Sequence, residues 1–418
     1  MSDIKSLQHE NENLRKILEI ARYMAVTNDL DVLLGTIVEA TCEVLDCDRA
    51  TIFLYDDETK ELYSRVAKGV EAIRFPADKG IAGQAAQDRE FINVPDAYAD
   101  SRFNPGVDKQ TGYRTRNLLT FPLENIKGDL IGVLQALNKN ETPFGPLDEE
   151  LALALSAQAG VALERGQLLE EFAEKQRMEH DLDIARGIQC GLFPDENPVV
   201  EGYEIAGWNR PADETGGDAY DFIPLKDGRL ALLLADATGH GIGAALIIAQ
   251  ARSLLRAMLS VTQDLPTIAA GVNDLLAVDL DDDRFVTAFI GILDPKTNLL
   301  TYVSGGQGPL IQVNPENVEN RCANSVPFAV MPGMTYDNPP SFDFPPGATL
   351  VLLTDGFYEA ADERAEQYGE ERVIEFIKEK TDKPLTQLID ELYSEIEEFT
   401  QNTKQADDLT AVLIRRNR

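Results

Sequence analysis

Apolar positions change their spacing several times along the chain, and each change marks an element. At the start, Ile4, Asn11 and Leu18 alternate with Leu7, Leu14 and Ala21, the three-then-four spacing of a coiled-coil seam. A lone polar residue such as Asn11 in a seam fixes a two-stranded parallel register at some cost in stability, so the spacing predicts a parallel homodimer. An amphipathic helix packed on its own domain is the alternative reading. From about Asp29 to Glu164 the pattern runs helix, strands, loop, strands, helix, which predicts an α+β domain with an antiparallel sheet; Thr51 to Tyr55 and Leu130 to Leu137 are its clearest strands.

Val161 to Gly191 is rich in Glu, Gln, Arg and Leu, with apolar residues at Leu168, Phe172, Met178, Leu182 and Ala185. It reads as a long helix with irregular heptads, ended by Pro194. Beyond it, strand-like runs at Leu230 to Ala235, Phe285 to Leu293, Leu299 to Ser304, Thr349 to Thr354 and Leu409 to Ile414 mix with helical patterns at Gly243 to Leu259, Glu370 to Lys380 and Pro384 to Thr400. The expected division is an N-terminal coiled-coil helix over 1–22, a domain over 23–165, a helical coiled-coil linker over 166–195 and a second domain over 196–418, with regular structure resuming near Tyr203.

Size and charge narrow the function. A chain of 418 residues exceeds one ordinary core, and its 44% apolar content suffices for more than one. The net charge of −34 repels phosphate backbones and anionic lipids, which argues against nucleic acid and membrane surfaces as partners and suits metal cations. The runs Leu230 to Ala237 and Ile242 to Ala251 fall short of the roughly 20 apolar residues of a membrane span. Met1 to Glu12 lacks the basic segment and apolar stretch of an export signal, so a cytoplasmic location is expected. Cys42, Cys47, Cys190 and Cys322 have no zinc-type spacing and read as free thiols in a reducing compartment.

Candidate chemistry concentrates in the second domain. Four segments place aspartates in glycine turns or after apolar strands: Gly216-Gly217-Asp218-Ala219-Tyr220-Asp221, Asp236-Ala237-Thr238-Gly239-His240-Gly241, Thr354-Asp355-Gly356 and Asp407-Asp408-Leu409-Thr410. Carboxylates at strand ends can converge at one sheet edge, and buried like charges are tolerable only when cations neutralise them. Oxygen ligands of this kind point to Mg²⁺ or Mn²⁺. One Asp beside a Gly is ordinarily a turn residue. His240 lies within the second segment and can be read as a general acid or as a turn residue, and Asp281 to Asp283 reads as a solvated loop.

In order and separation these segments resemble the PPM phosphatases of the stage II sporulation protein E type, over Asp181 to Ile414. Ile184-Ala185-Arg186-Gly187-Ile188-Gln189 before Leu192-Phe193-Pro194, and Arg284-Phe285-Val286-Thr287, resemble the same family. The resemblance implies an α/β/β/α sandwich of two antiparallel sheets, two Mn²⁺ or Mg²⁺ ions at one edge, and hydrolysis of phosphoserine or phosphothreonine on an anti-sigma-factor antagonist. It implies that Asp236 bridges the ions, that the Ala237 carbonyl completes one site, that Asp355 and Asp407 hold the other, and that Asp218 acts directly or through water. Gly306-Gln307-Gly308-Pro309 and Pro327-Phe328-Ala329 depart from the family's Gly-His-Asn-Pro and Pro-Leu-Gly. A partner-sequestering module without catalysis, and a nucleotide cyclase suggested by the Gly-Gly-Asp string, are the rival readings.

The first domain resembles the cyclic-nucleotide GAF domains over about Asp29 to Arg165. The segments that carry this are Asn93-Val94-Pro95-Asp96-Ala97-Tyr98, Arg102-Phe103-Asn104, Thr111 to Asn117, Gly132 to Lys139, and Asn138-Lys139 with Phe144 and Asp148-Glu149. This implies an α/β/α sandwich, cAMP or cGMP as regulatory ligand, and pocket residues Ile81, Ala82, Gly83, Asn104, Asp108, Thr115 and Gln135. It also implies a Lys139–Asp148 ion pair that braces the pocket lid; a domain that binds another ligand or none stays open. The whole then reads as a sensor phosphatase whose helical linker carries the signal.

Overall fold

A computed structural model describes residues 15–65, 73–281, 283–401 and 403–418. The chain divides into two compact units, Met1–Arg177 and Met178–Arg418.

The first unit opens with α1 (15–26) and α2 (Leu30–Leu45), followed by β1 (Cys47–Asp56), β2 (Glu61–Tyr63) and β3 (Arg74–Pro76). Then come α3 (Gly80–Asp88), β4 (Ile92–Val94), α4 (Pro105–Thr111), β5 (Leu118–Glu124), β6 (Leu130–Lys139) and the start of α5 (Pro146–Cys190). The six strands form one antiparallel sheet in the order β3-β2-β1-β6-β5-β4. Alternation along β6 sends Leu134 and Ala136 into a core shared with α1, α2 and α5, while Val133 packs on the other face with Ala82, Ala85 and Ala86 of α3. Helices therefore cover both faces.

The predicted seam Ile4, Leu7, Asn11 and Leu14 lies outside the described residues. In α1 the buried residues are Ile17 and Met24, which pack in this unit's own core, while Leu18 stays 66% exposed. Burying such side chains stabilises by about 1.5–3 kcal/mol each. α1 thus packs on its own domain and leaves the one described seam leucine free.

The long helix begins earlier than its composition indicates. Pro146 enters without needing an N–H partner, Asp148 and Glu149 occupy the first turn where the helix dipole favours acid, and no break follows until Cys190, four positions before Pro194. α5 is therefore the last helix of the first unit continued without interruption. Its residues Leu168, Phe172, Met178 and Ile188 are exposed.

The second unit contains β7 (Tyr203–Arg210), β8 (Asp218–Pro224), β9 (Leu230–Ala237), α6 (Gly241–Val261), α7 (Leu265–Asp279), β10 (Val286–Asp294) and β11 (Leu299–Gly305). It continues through β12 (Leu310–Val313), β13 (Val318–Arg321), β14 (Ser341–Asp343), β15 (Thr349–Leu353), α8 (Gly356–Glu359), α9 (Gly369–Glu379), α10 (Leu385–Thr400) and β16 (Leu409–Arg416). Two five-stranded antiparallel sheets result, β14-β11-β10-β9-β8 and β13-β12-β15-β16-β7. Leu232, Leu234 and Phe289 of one meet Leu350, Leu352, Val412 and Ile414 of the other in a common core. The outer face of the first sheet packs on α6 and α7, that of the second on α8, α9 and α10.

α6 corrects the expectation about membrane spans. It is the one helix among the described residues with the length and apolar composition to cross a membrane. Ala244, Ala245, Ile247, Ile248, Ala251, Leu255 and Leu259 are nevertheless buried, in a helix whose inward face packs on its sheet.

Candidate functional site

Sheet register brings the acidic segments together. Asp218 opens β8 and lies opposite Asp236 near the end of β9, so antiparallel pairing alone sets these two carboxylates side by side. In the facing sheet, β15 runs into Thr354-Asp355, and Asp407-Asp408 leads into β16, its neighbour. The two sheets are joined at this edge: the hydroxyls of Thr354 and Thr410 both donate to Asp218 Oδ2, at 2.7 and 2.6 Å. Asn209 in turn donates to the Thr410 oxygen at 2.8 Å.

The electrostatics follow from crowding acids in a dry place. Burial, then the Asp355, Asp407 and Asp408 charges, push Asp236 up to about 8. A hydrogen bond with Asp218 offsets part of that rise. Burial and the Asp236 charge raise Asp218 well above the carboxylate range, and Asp355 is raised by burial and by Asp407. Among the described residues no three His, Cys, Asp or Glu side chains close into a metal-binding group. Asp218 and Asp236 are linked by a hydrogen bond, and burial with the neighbouring acids disfavours the charge of each.

The donor set still fits a hard divalent ion: carboxylates, with a backbone carbonyl beside them. A Cβ on Gly217 would stand 3.0 Å from the Ala237 oxygen and 3.3 Å from that of Gly239, so glycine keeps this carbonyl-lined corner open. At Gly356 a Cβ would come within 2.1 Å of the Asp408 oxygen; only glycine lets the chain pass from Asp355 into α8 there.

Adjacent Asp407 and Asp408 divide their roles. Asp407 is exposed, where its charge acts on Asp236 and Asp355. Asp408 is buried and accepts the N–H groups of Ala212 and Gly217 at 2.7 and 2.5 Å, pinning the glycine loop before β8. Sequence reasoning did not separate Asp408, Thr354 and Thr410 from their motifs, and it left Asp221 without a role. Asp221 is fully buried and held by Arg256 through Nε at 2.6 Å and a second nitrogen at 2.8 Å, with Arg252 Nε at 2.9 Å. It clamps α6 to β8, and α6 begins at the turn that follows Asp236.

His240 caps α6 without a side-chain capping bond, and its imidazole is 89% exposed, 3.6 Å from Asp213. Gly239 and Gly241 beside it have φ of 92° and 75°, as a tight turn requires. Asp281 and Asp283 are exposed. Gln307 is buried and donates to the Leu353 oxygen at 2.9 Å, and Phe328 stacks on Tyr336 with centroids 5.5 Å apart. Both departures from the family pattern are therefore accommodated as packing.

Residues 226–417 match the family model of stage II sporulation protein E (SpoIIE), and residues 29–163 match that of the GAF domain. The chain joins a GAF domain to a SpoIIE-type phosphatase domain. It is 30% identical over 194 residues to "Probable 3',5'-cyclic phosphodiesterase pde-5" of Caenorhabditis elegans, covering 41% of this chain and 26% of that protein. It is 28% identical over 265 residues to "Protein IcfG" of Synechocystis sp., covering 57% of this chain and 42% of that protein. The chain thus spans under half the length of either relative. The SiaA-PP2C domain of Pseudomonas aeruginosa shares the fold at a TM-score of 0.50 and 22% identity, covering 58% of this chain and 98% of that one.

In the GAF domain Ile81, Ala82 and Gly83 belong to α3 and Gln135 to the strand face that α3 covers, whereas Asn104, Asp108 and Thr115 belong to α4 and the loop after it. Ile81 packs with Val94, Ala97 and Leu118, Ala82 with Val133, and Gly83 lies in the same helix. Gln135 is on β6 and donates to Thr120 Oγ1 at 3.0 Å. Asn104 caps α4 by accepting the Gly106 N–H at 2.9 Å. Asp108 is buried and accepts from the N–H and hydroxyl of Thr115, at 2.7 and 2.9 Å, and from Tyr98 at 3.1 Å.

Lys139 and Asp148 form an ion pair of 2.7 Å with both side chains largely buried. Lys139 also donates to the Leu45 carbonyl at 3.0 Å, and Asp148 accepts the Gly145 N–H at 2.8 Å, so the pair ties the end of β6 to the α2–β1 corner and the start of α5. Asn138 latches the preceding loop through Arg116 N at 2.6 Å and the Arg114 carbonyl at 2.9 Å.

Proposed function

We propose that the chain is a metal-dependent protein phosphatase acting on phosphoserine or phosphothreonine, regulated by its GAF domain. The observation that carries this reading is the meeting of Asp218 and Asp236 across β8–β9 with Asp355 and Asp407 at the same edge. Asp236, Asp355, Asp407 and the Ala237 carbonyl would hold two Mn²⁺ or Mg²⁺ ions, with Asp218 acting in the first metal site directly or through water. Such ions screen a phosphomonoester dianion and make water reactive at neutral pH. The protein supplies the placement: Thr354 and Thr410 orient Asp218, Asp408 fixes the glycine loop, and the Asp221 clamp seats α6 beneath the turn.

The substrate class we favour is a phosphorylated anti-sigma-factor antagonist. For the GAF domain we propose cAMP or cGMP as ligand, supported by the Asn138-Lys139, Phe144 and Asp148-Glu149 spacing and by a relative named as a cyclic phosphodiesterase. Full engagement of Asp108 by Thr115 and Tyr98 favours a second reading, in which that carboxylate shapes the domain and contacts no nucleotide. We place the protein in the cytoplasm as a parallel homodimer, its exposed α5 residues facing a second copy. Hydrolysis of p-nitrophenyl phosphate tests the enzyme assignment. Mn²⁺-dependent turnover lost in Asp236→Asn supports it, and turnover unchanged in chelator or in that variant refutes it.

A further inference from the structure

The segment Ile184-Ala185-Arg186-Gly187-Ile188-Gln189 forms the last turns of α5, and one of its side chains enters the interior of the second unit. From Met178 to Cys190 every residue of α5 is exposed or half-buried except Gln189, which is 7% exposed. Burying a long amide costs rotamer freedom and is tolerable only when its polar atoms are bonded. Here both amide atoms bond to one residue. Nε2 donates to the Gly216 carbonyl at 2.5 Å, and Oε1 accepts the Gly216 N–H at 3.0 Å.

Gly216 begins a run in which each residue is held by a different element. Gly217 donates its N–H to Asp408 Oδ2 at 2.5 Å and accepts the Ala237 N–H at 2.9 Å. Asp218 follows, fixed by Thr354 and Thr410 and paired in register with Asp236. A Cβ on Gly216 would stand 2.4 Å from Asp408 Oδ2, so only glycine lets the loop press this closely on that carboxylate. Past the end of α5, Phe193 meets Tyr220 of β8 with ring centroids 5.4 Å apart. That apolar contact holds the chain beside β8, whereas the amide pair is directional and sets where the Gly216 backbone lies.

We propose that Gln189 is a positioning residue of the acidic edge: its amide holds the Gly216 backbone so that Gly217 reaches Ala237 and Asp218 reaches Asp236 before any ion binds. The inference rests on the reading of this edge as a metal site. Gln189 acts through the backbone two residues before Asp218, so its loss should weaken ion binding without removing a ligand. Leucine at this position keeps much of the volume and neither bond. Glutamate keeps the acceptor for the Gly216 N–H and loses the amide donor to the Gly216 carbonyl.

The test titrates the metal-free full-length chain with Mn²⁺ by calorimetry and records its melting point in chelator. Gln189→Leu should bind Mn²⁺ about tenfold more weakly than the native chain, the scale of loss when a residue that orients metal ligands is removed. Gln189→Glu should lie between the two. Cys190→Ser, at the exposed next position, should titrate as the native chain does. Native affinity in Gln189→Leu, or in Gln189→Glu should the leucine variant fail to fold, would overturn the proposal, as would equal weakening in Cys190→Ser. A lower melting point with unchanged Mn²⁺ affinity would make Gln189 a tether of the helix end alone and overturn it too. Hydrolysis of p-nitrophenyl phosphate separates this from the enzyme assignment: a native chain that binds Mn²⁺ without turnover refutes the enzyme, while the affinity comparison still decides the role of Gln189.

Discussion

Asp236 has the most telling chemistry of any single residue. Its folded pKa of about 8 lies far above the roughly 3.9 of an exposed aspartate, because burial and three neighbouring acids oppose its charge. The sign of the stability effect follows. A group whose folded pKa is raised supports the fold fully below its unfolded pKa, and that support is lost as pH climbs through the folded one. In chelator, the second unit should therefore lose thermal stability progressively between about pH 4 and pH 8. Excess Mg²⁺ should flatten the loss, and Asp236→Asn should remove most of it without metal; a chelator-insensitive profile in the native chain would count against this placement. The four acidic segments were legible in the sequence because each sits beside glycines or after an apolar run. The division between Asp407 and Asp408 was not, since it depends on which carboxylate the Ala212 and Gly217 N–H groups reach, a contact across almost the whole second unit.

At the level of elements, two positions invite direct measurement. Ala329 stands where the resembling family carries glycine, and its φ is 72°, a conformation that costs a side-chain-bearing residue about 1 kcal/mol. Ala329→Gly should stabilise the second unit by about that amount, read as a melting point roughly 2–4 °C higher. Asp221 joins β8 to α6 with no exposure, opposite two arginines. Asp221→Ala leaves buried guanidinium charge uncompensated and should cost about 3–5 kcal/mol in denaturant unfolding. A loss under about 1 kcal/mol would mean that the clamp is solvated. Strongly patterned elements were legible: β1, β6, β9, β10, β11, β15, β16, α6, α9 and α10 lie where apolar spacing put them. α7 was not among the predicted elements, although Asp264 caps it and Pro266 opens it. The start of α5 was placed late because its first turns resemble the end of a domain rather than the beginning of a linker.

Across the whole molecule, the sequence carried the two-domain plan, while the layering of each unit followed from which strand faces meet. Alternation along single strands cannot specify that β9 and β15 share a core, and it is this pairing of sheets that carries Asp218 to Thr354 and Thr410. The joining of the two sheets at one acidic edge is the basis for reading the second unit as a working enzyme. The most direct test is calorimetric titration of the metal-free chain with Mn²⁺ at neutral pH. The account predicts two ions bound per chain with release of protons as the acids ionise, and binding sharply weakened in Asp236→Asn; no saturable uptake, or uptake indifferent to that substitution, would contradict it.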